Sequence, residues 1–86
     1  MKSRIQTLDV RPDIQAGREP YPRIMDAVEQ LPAGARLRLL SPFKPAPLLR
    51  VMLTRGFTST EKALPSGDWE ITFERIDDIA AKTRAR

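Results

Sequence analysis

The chain has 86 residues, 41% of them hydrophobic, and sets 15 lysines and arginines against 11 acids for a formal charge of +4. It contains no cysteine and no histidine, which excludes persulfide transfer, thiolate metal sites, imidazole acid–base chemistry and a disulfide framework. One domain fits this length and a second does not; such a chain buries roughly 60–65% of its unfolded surface.

Leu8 and Val10 alternate with Thr7 and Asp9 at the end of a short first strand. Residues 11–18 are polar and carry Pro12 and Gly17, so they read as a loop. Pro20 and Pro22 then open the first predicted helix, where a missing N–H has no intrahelical acceptor to lose. Its apolar stripe is Tyr21, Ile24, Met25, Val28 and Leu31, and Pro32-Ala33-Gly34 ends it. A second strand over 36–40 turns Leu37 and Leu39 inward and Arg36 and Arg38 outward. Pro42, Pro45 and Pro47 stiffen the connector 41–47. The next helix, 46–55, carries Leu48, Leu49, Met52 and Leu53, and Gly56 suits its C-terminal cap. Residues 57–64 form a third strand, 65–68 a turn, and 69–75 a fourth strand with Trp69, Ile71 and Phe73 on one face. The tail 76–86 is weakly helical in pattern and reads as frayed, or as docking only onto a partner.

The order β-α-β-α-β-β predicts an α+β fold: a two-layer sandwich with a four-stranded mixed sheet. Right-handed crossovers put both helices on one face and leave the other face open. The folded domain is expected over 1–75. No apolar run suits a signal peptide or a membrane span, so a cytoplasmic location is expected.

Charge is unevenly distributed. Arg36, Arg38, Lys44, Arg50 and Arg55 fall in a stretch without acids, whereas Glu61, Asp68, Glu70, Glu74, Asp77 and Asp78 follow it. A basic segment 36–55 invites nucleic acid. Arg36 and Arg38 would meet the outward Glu70 and Glu74 if strands two and four are neighbours, and no exposed aromatic beyond Phe43 offers a base-stacking platform. Nucleic acid is therefore not the expected partner.

Leu8-Asp9-Val10-Arg11, Glu19-Pro20, Arg23-Ile24-Met25, Leu31-Pro32-Ala33-Gly34, Pro47-Leu48, Arg55-Gly56-Phe57 and Gly67-Asp68-Trp69 stand in a characteristic order. In these segments the chain resembles the TusA/SirA-like superfamily, specifically its cysteine-less branch of unknown function (domain of unknown function family 2249). The resemblance implies sheet order 1-2-4-3 with the last strand antiparallel to the others. In the sulfur-carrying members a Cys-Pro-x-Pro motif opens the first helix. Matching the proline pair puts Glu19 at the cysteine position; counting back from Gly34 by helix length puts Gly17 there. Neither carries sulfur. The branch also tends to accompany haemerythrin-like and other redox domains, which implies a protein partner in redox or nitrogen-oxide metabolism.

Arg18, Glu19, Tyr21, Arg23 and Lys44 make up the candidate interaction or ligand surface, around the proline-braced helix start and the connector. Glu19 offers a carboxylate for a cation or a partner's arginine; placed at a helix start it also has a plain electrostatic role of about 0.3–1 kcal/mol. Arg18 and Arg23 suggest an anion site, although Pro20 and Pro22 remove two of the amides such a site would use. Glu74, Asp77 and Asp78 lack calcium-loop spacing, and the serines have no base beside them. The expected activity is non-catalytic protein interaction or regulation without sulfur transfer, with no cofactor, metal or membrane. The alternatives are nucleic-acid binding through 36–55 and a small anion or ligand at the first helix start. The open sheet face and the third strand, at the sheet edge, both offer dimerisation surfaces.

Overall fold

The computed structural model describes residues 4–84. The elements are β1 (Ile5–Asp9), α1 (Arg11–Gln15), α2 (Tyr21–Glu29), β2 (Arg36–Ser41), α3 (Ala46–Thr54), β3 (Phe57–Ala63), β4 (Trp69–Arg75) and α4 (Ile76–Arg84). They form an α+β domain with one mixed sheet in the order β1-β2-β4-β3. β1 pairs parallel to β2, with Leu8 beside Leu39, and β4 runs antiparallel to both β2 and β3. A parallel pair needs a crossover; α1 and α2 lie on that crossover. The β3–β4 hairpin closes through Gly67 N–H donating to Leu64 O (3.0 Å) and Leu64 N–H donating to Asp68 O (2.8 Å).

The period-two pattern of β2 decides the core. Leu37, Leu39 and Ser41 are buried, while Arg36, Arg38 and Leu40 are half-buried on the opposite face. Leu37 lies beside Phe73 and Leu39 beside Ile71, so these four side chains share a face. Ile24 and Val28 of α2 and Leu48 and Met52 of α3 belong to the same buried cluster. Helix α3 ends where Gly56 follows its cap residue with φ +88°, the left-handed position that glycine takes without strain.

Two segments differ from the sequence expectation. Residues 11–18, expected as a loop, contain α1. Pro12 sits in its first turn and Asp13 follows in the same turn. Gly17, at φ +77°, closes it: Gly17 N–H donates to Ile14 O and Arg18 N–H to Asp13 O, the pair of bonds that caps a helix C-terminus. The proline and glycine that suggested a loop are a helix start and a helix stop. The tail, expected to be frayed or partner-dependent, is helical over Ile76–Arg84 and continues from β4 without a break. Its start is anchored, since Gly34 N–H donates to Asp78 Oδ2 (3.2 Å) and Ile76 N–H to Gly56 O (2.8 Å). Residues 85–86, at the end of the expected tail, lie outside the described residues. No described helix is long and apolar enough to cross a membrane.

Candidate functional site

Where α1, the start of α2, the connector and α3 meet, the surface folds into an apolar cleft of about 250 Å³. Ile14 comes from α1, Pro20, Tyr21 and Ile24 from the opening of α2, Leu39 and Ser41 from β2, Phe43 from the connector, and Leu48 and Val51 from α3. The prolines explain why the chain leaves this hollow. Pro20 is the cap residue of α2 and Pro45 that of α3, and neither helix start has a side-chain cap. Fixed proline φ angles hold the backbone where it turns into each helix, and a proline at the cap position has no side-chain acceptor to fold back over the amides. Ser41, fully buried at the end of β2, turns the connector outward: its Oγ donates to Phe43 O (2.8 Å) and accepts from Phe43 N–H (3.3 Å). That hydroxyl is therefore satisfied within the chain.

Two large aromatics stand at this cleft in contact with water, Tyr21 at 42% exposure and Phe43 at 51%. Glu19 also lines it and is the charged residue among the lining groups. Its Oε1 accepts only a long bond from Tyr21 N–H, 3.4 Å, and the residue is exposed. The cleft thus combines an apolar interior, an aromatic rim and one solvated carboxylate. Such a surface suits an apolar group carried next to a positive charge.

The proposed cation pair has a different role. Arg18 donates to Asp13 Oδ1 (3.0 Å) and Arg23 donates to Asp13 Oδ2, and the Asp13 side chain is only 7% exposed. Hydrogen bonding from Arg18 first, and from Arg23 after it, holds the Asp13 carboxyl below the ordinary aspartate range against the opposing effect of burial. Arg18 and Arg23 are both engaged by Asp13, and because one carboxylate offsets only one of the two guanidiniums the trio keeps a net charge of +1. Their joint effect is to tie α1 to the start of α2, which fixes one wall of the cleft. Asp13 was missed by sequence reading. Its signal was there, an acid in a first turn behind a proline with arginines five and ten residues on.

Lys44 does not join this group. Its ammonium pairs with Glu61 Oε1 (3.2 Å) and lies 6.0 Å from the centre of the Trp69 ring. Trp69 itself is half-buried against the core. The structure therefore brings Glu19 and Tyr21 to one cleft, sends Arg18 and Arg23 to Asp13, and places Lys44 over the β3–β4 hairpin.

A second network was also unforeseen. Arg11 donates to both oxygens of Asp9 (2.9 and 2.8 Å) and to Asp68 Oδ2 (2.8 Å). This ties the end of β1 to the turn before β4, and hydrogen bonding from Arg11 lowers the Asp9 pKa. On the open sheet face Arg38 pairs with Glu70 at 3.4 Å, as the strand order required. Arg75 donates to the carbonyls of Leu31 (2.8 Å) and Pro32 (3.1 Å), just beyond the C-terminal end of α2. Among the described residues no three carboxylates converge as a metal site.

Fold and cleft together define a small α+β domain whose distinguishing surface is apolar and shaped by prolines. The chain belongs to the family of uncharacterized conserved proteins DUF2249, whose model matches residues 7–75. No curated protein and no solved structure was found to match it.

Proposed function

We propose that this chain is a non-catalytic interaction module on a TusA/SirA-like scaffold, and that it takes an apolar side chain of a protein partner into the cleft at the start of α2. The observation that carries this reading is the combination of an apolar hollow with two exposed aromatics and the carboxylate of Glu19. A partner segment with a leucine or aromatic residue next to a lysine or arginine fits both features. Exposed aromatics at a desolvated pocket are the usual anchors of such contacts.

The scaffold comparison gains support from the two registers for the carriers' cysteine. Gly17 serves as the left-handed closing residue of α1, at φ +77°, a conformation in which a side chain is strained. Glu19 directly precedes Pro20-Tyr21-Pro22 and lines the cleft. On this reading a carboxylate replaces the reactive thiol at a surface that still meets a partner. The setting implied by the resemblance, redox or nitrogen-oxide metabolism, is where that partner is sought first. The engagement of Arg18 and Arg23 by Asp13, and of Arg38 by Glu70, supports this reading over the anion-site and nucleic-acid alternatives.

The test begins with a photo-crosslinking residue at position 43, which identifies a partner segment for titration. Val51→Phe fills the cleft and should weaken binding at least about tenfold; Glu19→Lys should weaken a basic segment similarly. Both variants should melt close to the wild type, because Val51 is half-buried and Glu19 exposed. Unchanged affinity in Val51→Phe would show that the cleft is not the docking surface.

A further inference from the structure

We propose that the chain forms a two-fold symmetric dimer in which β3 pairs antiparallel with β3 of a second copy, joining two four-stranded sheets into one. β3 is an edge strand: it borders β4 on one side and, among the described residues, no strand on the other. It runs for seven residues without a proline. Edge strands of soluble proteins are usually blunted by lysine, proline or a bulge. The single lysine here, Lys62, falls opposite Thr58 of the second copy in a register centred on Thr60, and so does not face another cation.

The hydrogen-bond phase of β3 selects one register. At its two ends Gly56 O accepts from Ile76 N–H and Leu64 N–H donates to Asp68 O. Antiparallel ladders alternate, so Thr58, Thr60 and Lys62 turn their amides and carbonyls toward β4. Those of Phe57, Ser59, Glu61 and Ala63 point outward. A two-fold axis at Thr60 sets Ser59 against the partner copy's Glu61 position and Phe57 against its Ala63 position. Every outward N–H and C=O of the strand then finds a partner. A shift to an axis at Glu61 would place that carboxylate against itself, and an axis at Ser59 would leave Ala63 unpaired.

The surface beside the strand agrees with this register. Leu49, Arg50 and Leu53 of α3 form a groove with Phe57, Thr58 and Ser59, and Leu53 is 60% exposed. Arg50 lines this groove together with Ser59 and has no ion-pair partner among the described residues. The axis at Thr60 brings the second copy's Glu61 to that place. Glu61 lies on the helix-layer face, beside Ile71; its Oε1 pairs with Lys44 of the same copy (3.2 Å), and its Oε2 accepts only a long bond from Ser59 Oγ at 3.4 Å, which leaves that oxygen open to a second cation. Each copy thus brings its Arg50 to the other's Glu61, beside that carboxylate's own Lys44, which is the self-complementarity a two-fold interface requires. Ala63 of the second copy comes opposite Phe57, where it covers the exposed Leu53.

Sedimentation equilibrium of the full chain from micromolar to millimolar concentration tests this. The mass should rise from that of one chain to that of two. Thr60→Lys places two ammonium groups against each other at the axis and should raise the dissociation constant at least about tenfold. Arg50→Glu and Glu61→Arg should each do the same, and the double variant should recover dimerisation, which separates lost contact from lost folding. A chain that stays monomeric throughout overturns the proposal. So does a dimer indifferent to Thr60→Lys, which would mean association through another face. Neither result bears on the cleft, whose residues lie elsewhere.

Discussion

Phe73→Ala should destabilise the domain by about 3–5 kcal/mol, a large part of the about 5–15 kcal/mol that holds such a fold. Phe73 is fully buried at the middle of β4, between Leu37 of β2 and Ser59 of β3. Because β4 is hydrogen-bonded on both sides, its backbone is held by two ladders and cannot move in to close the void. Ser59 is too small to fill it from one side, and Leu37 is itself fully buried. The melting temperature should fall by roughly 12 °C or more, followed by far-UV circular dichroism. Gln15→Ala, at the exposed end of α1, should stay within about 0.5 kcal/mol of the wild type as the control. A Phe73→Ala protein melting within a few degrees of the parent would mean the core is not organised around β4. Ile24 and Leu48 belong both to this core and to the cleft lining, so loosening at Phe73 should reach the binding surface as well.

The fold was legible because its signals are local. Leu37 and Leu39 alternate with Arg36 and Arg38, Tyr21 to Leu31 form one stripe, and Gly56 stands one position beyond the last cap; each is read within a few residues. Helix α1 is too short for any period to emerge. Its evidence lay in Pro12 and Gly17, which punctuate a loop and a five-residue helix in the same way. Leu53 looked like part of a buried stripe and is mostly exposed, since it is turned about 100° round the helix from the buried Met52.

The site was legible only in pieces. Pro20, Tyr21 and the connector prolines were visible as unusual, but the cleft exists only because residues from Ile14 to Val51 are brought together by the crossover. No periodicity spans that distance. Lys44 was grouped with the helix start because its connector was. The turn at Ser41 sends its ammonium instead to Glu61 and Trp69. Arg18 and Arg23 looked like uncompensated cations while Asp13 sat in a segment read as polar loop. A buried carboxylate leaves no pattern of its own in a sequence; it shows only through the cations that surround it.

Asp13→Asn should remove much of the acid sensitivity of this domain. The Asp13 carboxyl is held below its ordinary value, and Asp9 is shifted the same way by Arg11. A carboxylate with a lower pKa folded than unfolded contributes stability that is fully present above the unfolded value, about 3.9. That contribution is lost as the pH falls below this value and through the folded one. The wild type should therefore melt at a nearly constant temperature near neutrality and lose stability below about pH 4. The asparagine variant keeps the shape but not the charge, leaving Arg18 and Arg23 facing each other without a counterion. It should melt well below the wild type at pH 7, and the gap should narrow as the acid branch is reached. A gap that is the same at pH 7 and at pH 2 would show that the charge of Asp13 is not what binds the two arginines. Because those arginines tie α1 to the opening of α2, and Ile14 next to Asp13 lines the cleft, the same substitution should weaken a cleft-bound partner while leaving Glu19 untouched. Arg18→Met and Arg23→Met each leave one guanidinium on the carboxylate, and so should fall between the wild type and Asp13→Asn in both measurements.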